Sequence, residues 1–197
     1  MQETWLKQSK LSEQQYEELK MISKAQSGDR EAFKQIILTY QQRIYALAFR
    51  IIGNSDDAKD VAQEVFIRIY RFLPNFQNKN RFFTWVYRIV VNACYDHLKK
   101  QKRFHAYPIE QIPENKLPQV CQSHTQKEIF DQVIALLNHL SIPQKTAFLL
   151  RETEGFTCRE IADIMQRPNS TIRSHLRNAR IRLRDLLKQH YPEFFEG

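Results

Sequence analysis

Four glycines in 197 residues leave this chain almost without the residue that tight turns require. Two-residue β-hairpins depend on left-handed turn positions that glycine fills best, and phosphate-cradling loops need several glycines close together. β architecture and Gly-rich nucleotide loops are therefore disfavoured. The apolar residues agree, because they recur at intervals of three and four, the period of one helix face. The sequence predicts an all-α fold, long enough for one large domain or two small ones.

Asp29 is placed to cap a helix after the Ser27-Gly28 break, with Phe33, Ile36, Ile37, Tyr40, Ile44, Leu47, Ala48 and Ile51 on its inner face. Gly53 ends it. Ser55 is positioned to cap the next, where Ala58, Val61, Ala62, Val65, Ile69 and Leu73 keep the period until Pro74. A third helix runs through Phe82, Val86, Ile89, Val90, Ala93 and His97 into a basic end. A weaker pattern at Tyr16, Leu19, Ile22 and Ala25 predicts one more helix beside these three. Between Phe104 and Thr125 the periodicity stops and three of the seven prolines occur, the signature of an extended linker. Helical spacing resumes at Ile129, Val133, Leu136, Leu137 and Leu140, then at Ala147, Phe148 and Leu150 after Pro143. The predicted division is a first domain over 1–103, a linker over 104–125 and a second domain over 126–197.

Net charge is +8, and its location is more informative than its size. Lys79 to Arg103 carries +6, Arg167 to Lys188 carries another +6, and the remainder sums to −4. Two separate basic surfaces on an otherwise acidic chain suit two contacts on one long polyanion. The longest apolar stretch, Phe82 to Tyr95, is interrupted by Arg88 and Asn92 and is too short to span a bilayer. With no secretory pattern at the N-terminus and an odd count of three cysteines, the expectation is a cytoplasmic protein with reduced thiols and no membrane insertion.

The most informative window is Gly155 to Arg173. Thr157 and Glu160 have capping-box spacing, and Ile161, Ala162 and Met165 line the inner face of a short helix. Pro168 and a cap at Asn169 or Ser170 then open a second helix, with Ile172, Leu176, Ala179, Leu183 and Leu186 inward. Its other face carries Ser170, Thr171, Arg173, Ser174, His175, Arg177, Asn178 and Arg180. Short helix, turn and basic helix make a helix-turn-helix, whose second helix enters the major groove. Arginine's fork takes both acceptors of guanine, and Ser and Asn bond bases or phosphates.

Together with these motifs, Ser27-Gly28-Asp29-Arg30-Glu31-Ala32-Phe33, the run from Asp56 to Phe66, and Phe83-Thr84-Trp85-Val86-Tyr87-Arg88-Ile89 with Asn92 resemble, in order, segments of the bacterial sigma-70 superfamily. The short linker resembles the compact extracytoplasmic-function group. The resemblance implies a region 2 helical bundle and a region 4 helix-turn-helix. It implies a subunit that binds core RNA polymerase through its β and β′ subunits and directs initiation at promoter DNA, region 2 melting and reading the −10 element and region 4 the −35 element. Asp60, Gln63, Glu64 and Ile67 form an acidic and polar strip off the core stripe of their helix, suited to a basic coiled coil, and the family implies the β′ clamp helices. The resemblance places capture of a flipped −10 base in the Pro74–Asn80 loop, here Asn75, Phe76, Asn78 and Asn80. Arg88 belongs to the same −10 surface, and Lys99, Lys100, Lys102 and Arg103 are assigned to phosphates. Phe82 and Trp85 are assigned to the core. Such factors are commonly held by an anti-sigma protein wedged between the two domains.

Cys94 with His97 and Cys121 with His124 have C-x-x-H spacing, but one pair falls in a helix and the other in the linker. No metal and no cofactor is expected. Neither a G-x-S-x-G, an H-E-x-x-H nor a nucleophile-and-base pair is present, so no enzyme activity and no small-molecule substrate are expected. The alternative function is an autonomous dimeric helix-turn-helix regulator, supported by the second domain alone. Arg177 and Asn178 stand where relatives often carry an aromatic and then a basic residue, so the −35 sequence cannot be transferred. The N-terminal extension with Trp5 and the tail from Tyr191 to Phe195 fall outside the resemblance.

Overall fold

The computed structural model describes residues 16–77, 82–104, 132, 134–190 and 192. Among them every regular element is helical. The N-terminal unit contains α1 (16–26), α2 (Arg30–Ile52), α3 (Ser55–Phe72), a 3-10 turn at Leu73–Asn75 and α4 (Phe82–Phe104). The C-terminal unit contains α5 (134–137), α6 (Ile142–Glu152), α7 (Cys158–Met165) and α8 (Asn169–His190).

Helix boundaries follow from local chemistry. Asp29 Oδ1 accepts from the backbone N–H groups of Glu31 and Ala32 at 2.9 and 3.1 Å, so α2 starts where its sequence predicts. Gly53 ends it at φ 85°, a left-handed position that a residue with a Cβ adopts only under strain. The cap of α3 differs from the expectation by one residue. Asn54 Oδ1, not Ser55, accepts from Asp56 and Asp57 N–H, because an Asn in extended backbone reaches both donors, while Ser55 bonds the Tyr45 hydroxyl. In α1, Ile22 and Ala25 are buried as expected, but Tyr16 is 66% exposed at its free end.

The predicted inner faces of α2 and α3 are buried, with Phe33 and Ile37 only half-buried at the edge of the stripe. Helix α4 departs most from expectation. Phe82, Val86, Val90 and Ala93 bury one side against α2 and α3, as their spacing predicts. Tyr87, Val91 and Cys94, spaced i, i+4 and i+7, are also buried, on a second side. On that side Tyr87 meets Phe156, just before α7, at 4.9 Å, and α4 and α7 are in contact. The two units therefore share one continuous apolar core instead of standing apart. The predicted linker residues 105–125 lie outside the described residues.

Leu136, Leu137 and Leu140 of the C-terminal unit are buried, as are Ala147 and Leu150 of α6. Pro143 falls in the first turn of α6, where its missing N–H costs nothing.

Candidate polymerase and nucleic-acid interfaces

On α3, Asp60, Gln63 and Glu64 are exposed and Ile67 is 48% exposed, all four on the side away from the buried stripe. Glu64 is not a free charge: its carboxylate accepts from Arg68 Nε at 2.9 Å, and Arg68 also reaches Asp96 of α4 at 3.4 Å. Asp60 and Gln63, with Phe66 of the same helix, line a cavity of about 490 Å³ between α2 and α3, whose other wall includes Ile37, Gln41 and Tyr45. The α2 wall is not anticipated by the sequence reading. Its signal was Ile37 and Tyr45, apolar positions that the core only half covers. Tyr70, 59% exposed and edge-on to Phe33 at 5.0 Å, extends the apolar border of the strip beyond Ile67.

In the segment after α3, Asn75 is exposed, whereas Phe76 stacks on Trp85 at 4.6 Å and meets Phe82 at 5.8 Å. Phe76 is thus half-buried among aromatics, with one ring face taken by Trp85. The turn is anchored to α1, since Gln26 Nε2 donates to the carbonyls of Leu73, at 3.1 Å, and Phe76. Phe82 is buried and Trp85 half-buried, in line with their expected core placement. Asn78 and Asn80 lie outside the described residues.

Further along α4, Lys99, Lys100 and Lys102 are exposed, and the backbone of Arg103 remains helical. Their end of the helix is tied to the start of α3: Asp57 accepts from Gln101 Nε2 at 2.8 Å and lies 3.4 Å from His97 Nε2. Arg88 is half-buried, and its Nε is buried without a hydrogen-bond partner among the described residues.

The helix-turn-helix forms as its motifs require. Thr157 Oγ1 accepts from Glu160 N–H at 3.3 Å, and Glu160 returns a carboxylate oxygen 2.8 Å from Thr157 N–H. Ile161, Met165 and the unanticipated Ile164 are buried, and Gln166 makes the turn at φ 52°. Helix α8 begins at Asn169, and the Pro168 carbonyl accepts from Ile172 N–H at 3.2 Å, so Ser170 sits inside the first turn and is not the cap. Ile172, Leu176, Ala179 and Leu186 face inward, with Leu183 half-buried.

The opposite face exposes Ser170, Arg173, Ser174, Arg177 and Asn178, with Thr171 and His175 half-buried. Arg180 is exposed but committed, donating from Nη2 to Glu152 of α6 at 2.8 Å. Burial, and then the nearby Arg167 charge, hold the His175 imidazole below its ordinary value. At neutral pH it offers a hydrogen bond and no charge.

Cys94 is buried, which pushes its thiol up to about 12 and removes it from ready thiolate chemistry. The described residues contain no group of three or more His, Cys, Asp or Glu that could hold a metal ion. Cys121 and His124 lie outside them. No described helix is long and apolar enough to cross a membrane.

Comparison with known proteins bears on these surfaces directly. Residues 36–104 match the family model for Sigma-70 region 2, and residues 130–183 match that for Sigma-70 region 4. The chain is 34% identical to the RNA polymerase sigma-H factor of Pseudomonas aeruginosa, covering 84% of this chain and 91% of that protein. It is 33% identical to the ECF RNA polymerase sigma-E factor of Haemophilus influenzae, over 81% and 89%. Among solved structures, the sigma factor RpoE of Bartonella quintana, in complex with the anti-sigma factor NepR, superposes with a TM-score of 0.64 at 26% identity, over 79% of this chain and 96% of that one. CnrH, in complex with the cytosolic domain of CnrY, shares the fold at a TM-score of 0.66 and 21% identity, over 87% and 97%. Both family segments occur in order, over exposed faces that are acidic on α3 and basic on α8, and the chain belongs to the extracytoplasmic-function group of sigma-70 factors, the subunits that direct promoter-specific initiation by RNA polymerase.

Proposed function

We propose that this sigma factor divides its work by element. The unit over 1–103 binds core polymerase and opens the −10 element, 104–125 serves as a linker, and the unit over 126–197 reads the −35 element. The observation that carries this reading is the segregation of exposed chemistry. Asp60 and Gln63 line the α2–α3 cavity and, with the exposed Ile67 on the same face of α3, offer acid, amide and apolar contacts to a basic helical partner, with Glu64 adding a carboxylate already shared with Arg68. A surface of that sign repels DNA. By contrast, the outward face of α8 carries Arg173, Arg177 and Asn178 with Ser170 and Ser174, the side chains suited to base edges and phosphates. Thr171 and His175 flank that face. Arg180, oriented by Glu152, acts as a positioned phosphate contact more than a free reader of bases.

For the −10 element, Asn75, Asn78 and Asn80 receive the flipped base, Phe76 forms the floor of that site by its packing on Trp85, and Arg88 joins them. Lys99, Lys100, Lys102 and Arg103 track the backbone. The chain acts in the cytoplasm and is not itself a catalyst, polymerase supplying the chemistry. An anti-sigma protein is a further partner, supported by the NepR complex of the Bartonella relative.

Run-off transcription from genomic fragments, with purified chain and bacterial core polymerase together and apart, tests this. Transcripts are expected only from the pair, from start sites that share two spaced elements. Tight binding of the chain alone to a palindrome, without transcripts, would instead establish an autonomous regulator.

A further inference from the structure

We propose that the cavity where α1, α2 and α4 meet receives the indole of Trp5, from the chain's own N-terminal segment, and that this strap holds α1 on the bundle. The cavity measures about 290 Å³, at the small end of ligand pockets, which start at roughly 300 Å³. Ile22 of α1 and Ile36 and Tyr40 of α2 form its floor, none more than 3% exposed. Phe83, at the start of α4, stands edge-on to Tyr40 at 5.0 Å and closes one side. The exposed Glu17 and Thr39 mark the opening. None of these residues belongs to the polymerase or DNA surfaces assigned above.

The wall selects an apolar ring. Both of its hydroxyls are committed: Thr39 Oγ1 donates to the Gln35 carbonyl at 2.8 Å, and the Tyr40 hydroxyl donates to the Glu18 carboxylate. The corner made by Tyr40 and Phe83 offers an edge and a face to a third ring, and the Met21 thioether in the same wall favours aromatic contact. The rim selects a cation. Among the described residues, Glu17 and Glu18 border the cavity and no Lys or Arg does. Glu17 has a loose ion pair with Lys20 at 3.8 Å, and Glu18 retains acceptor capacity for an indole N–H.

A large ring followed by cations lies in the same chain. Residues 1–15 fall outside the described residues and contain Trp5, Leu6, Lys7 and Lys10, with no acid between positions 5 and 12. The chain has two tryptophans, and the other, Trp85, is already stacked on Phe76. From Trp5 to Glu17 on the rim the extended chain spans up to about 40 Å, ample length to turn back onto α1. A tether that short gives an effective concentration on the order of mM, which suits docking through one side chain. The consequence falls on α1, whose Gln26 Nε2 donates to the carbonyls of Leu73 and Phe76 in the turn after α3. A ring wedged between α1 and α2 steadies that turn through Gln26.

The test labels the full chain with fluorotryptophan, whose two fluorine resonances are assigned by Trp5→Phe and followed as a soluble gadolinium chelate is added. Trp85 is the internal reference. In the parent, the Trp5 resonance is expected to broaden at least threefold less than in Thr39→Tyr, which fills the cavity from an exposed position of α2 with a residue of similar helix propensity. Lys7→Glu with Lys10→Glu, which changes no described residue, should expose Trp5 in the same way. Amide exchange of α1 should quicken at least threefold in Trp5→Ala while circular dichroism stays native. A parent whose Trp5 broadens as much as in both variants would overturn the docking. Protection lost on tenfold dilution would assign the cavity to a second copy of the chain and overturn docking within one chain. Protection that the lysine variant leaves intact would overturn the part given to the acidic rim, and α1 exchange unchanged in Trp5→Ala would overturn the strap.

Discussion

Raising the pH from neutrality to 9 should stabilise this protein through one side chain, Lys145. Burial lowers its ammonium from the ordinary 10.5 to about 8, and its two hydrogen bonds do not offset the lost hydration. Between those values the unfolded chain carries a proton on this lysine that the folded chain does not, so stability increases as pH rises through the window and is lowest where both states are charged. The full difference is about 3 kcal/mol, and about 1 kcal/mol of it is recovered between pH 7 and 9. Cys94 works against this, because burial raises its thiol and the unfolded chain ionises first near 9. Comparing the parent with Lys145→Met cancels that contribution. Urea unfolding of both proteins at half-unit steps, followed by circular dichroism, gives the difference directly. The parent should gain about 1 kcal/mol on the variant over that range, with a pH-independent offset for the abandoned Ile51 carbonyl. A difference curve that stays flat would show that Lys145 titrates in its ordinary range and that the contact between α2 and α6 is wet.

Other perturbations separate positioning from reading. Arg173→Ala should lose roughly 1–3 kcal/mol at one −35 base pair and relax preference there, read from a panel of single-substitution promoters. Lys100→Ala should weaken every promoter variant equally and reduce the salt slope by about 1, measured by titration at several ionic strengths. Thr157→Ala removes the side-chain half of the capping box that starts α7, the hydroxyl that accepts from Glu160 N–H, and should cost about 1 kcal/mol in urea unfolding of the helix-turn-helix, with no change in core polymerase binding. Gln63→Lys places a cation at the rim of the α2–α3 cavity and should weaken capture of core polymerase at least tenfold while leaving circular dichroism unchanged, scored by co-elution.

Helix α4 explains how much of this molecule was legible in its sequence and why the remainder was not. Where a helix buries a single face, spacing alone locates the core: Ile36, Tyr40, Ile44, Leu47 and Ile51 of α2 follow such a stripe, and so do Ile172, Leu176, Ala179 and Leu186 of α8. Capping chemistry likewise locates helix starts to within one residue, since Asn54 and Ser55 compete for the same donors and only backbone geometry decides between them. Periodicity cannot express a helix used on two sides. Phe82, Val86, Val90 and Ala93 make one stripe of α4, so Tyr87, Val91 and Cys94 look like the ordinary breadth of a half-buried helix until α7 is seen against them. The same limit applies to charges. Arg180 in the sequence is one more base on a basic face, and its pairing with Glu152 joins positions 28 residues apart that no local pattern links.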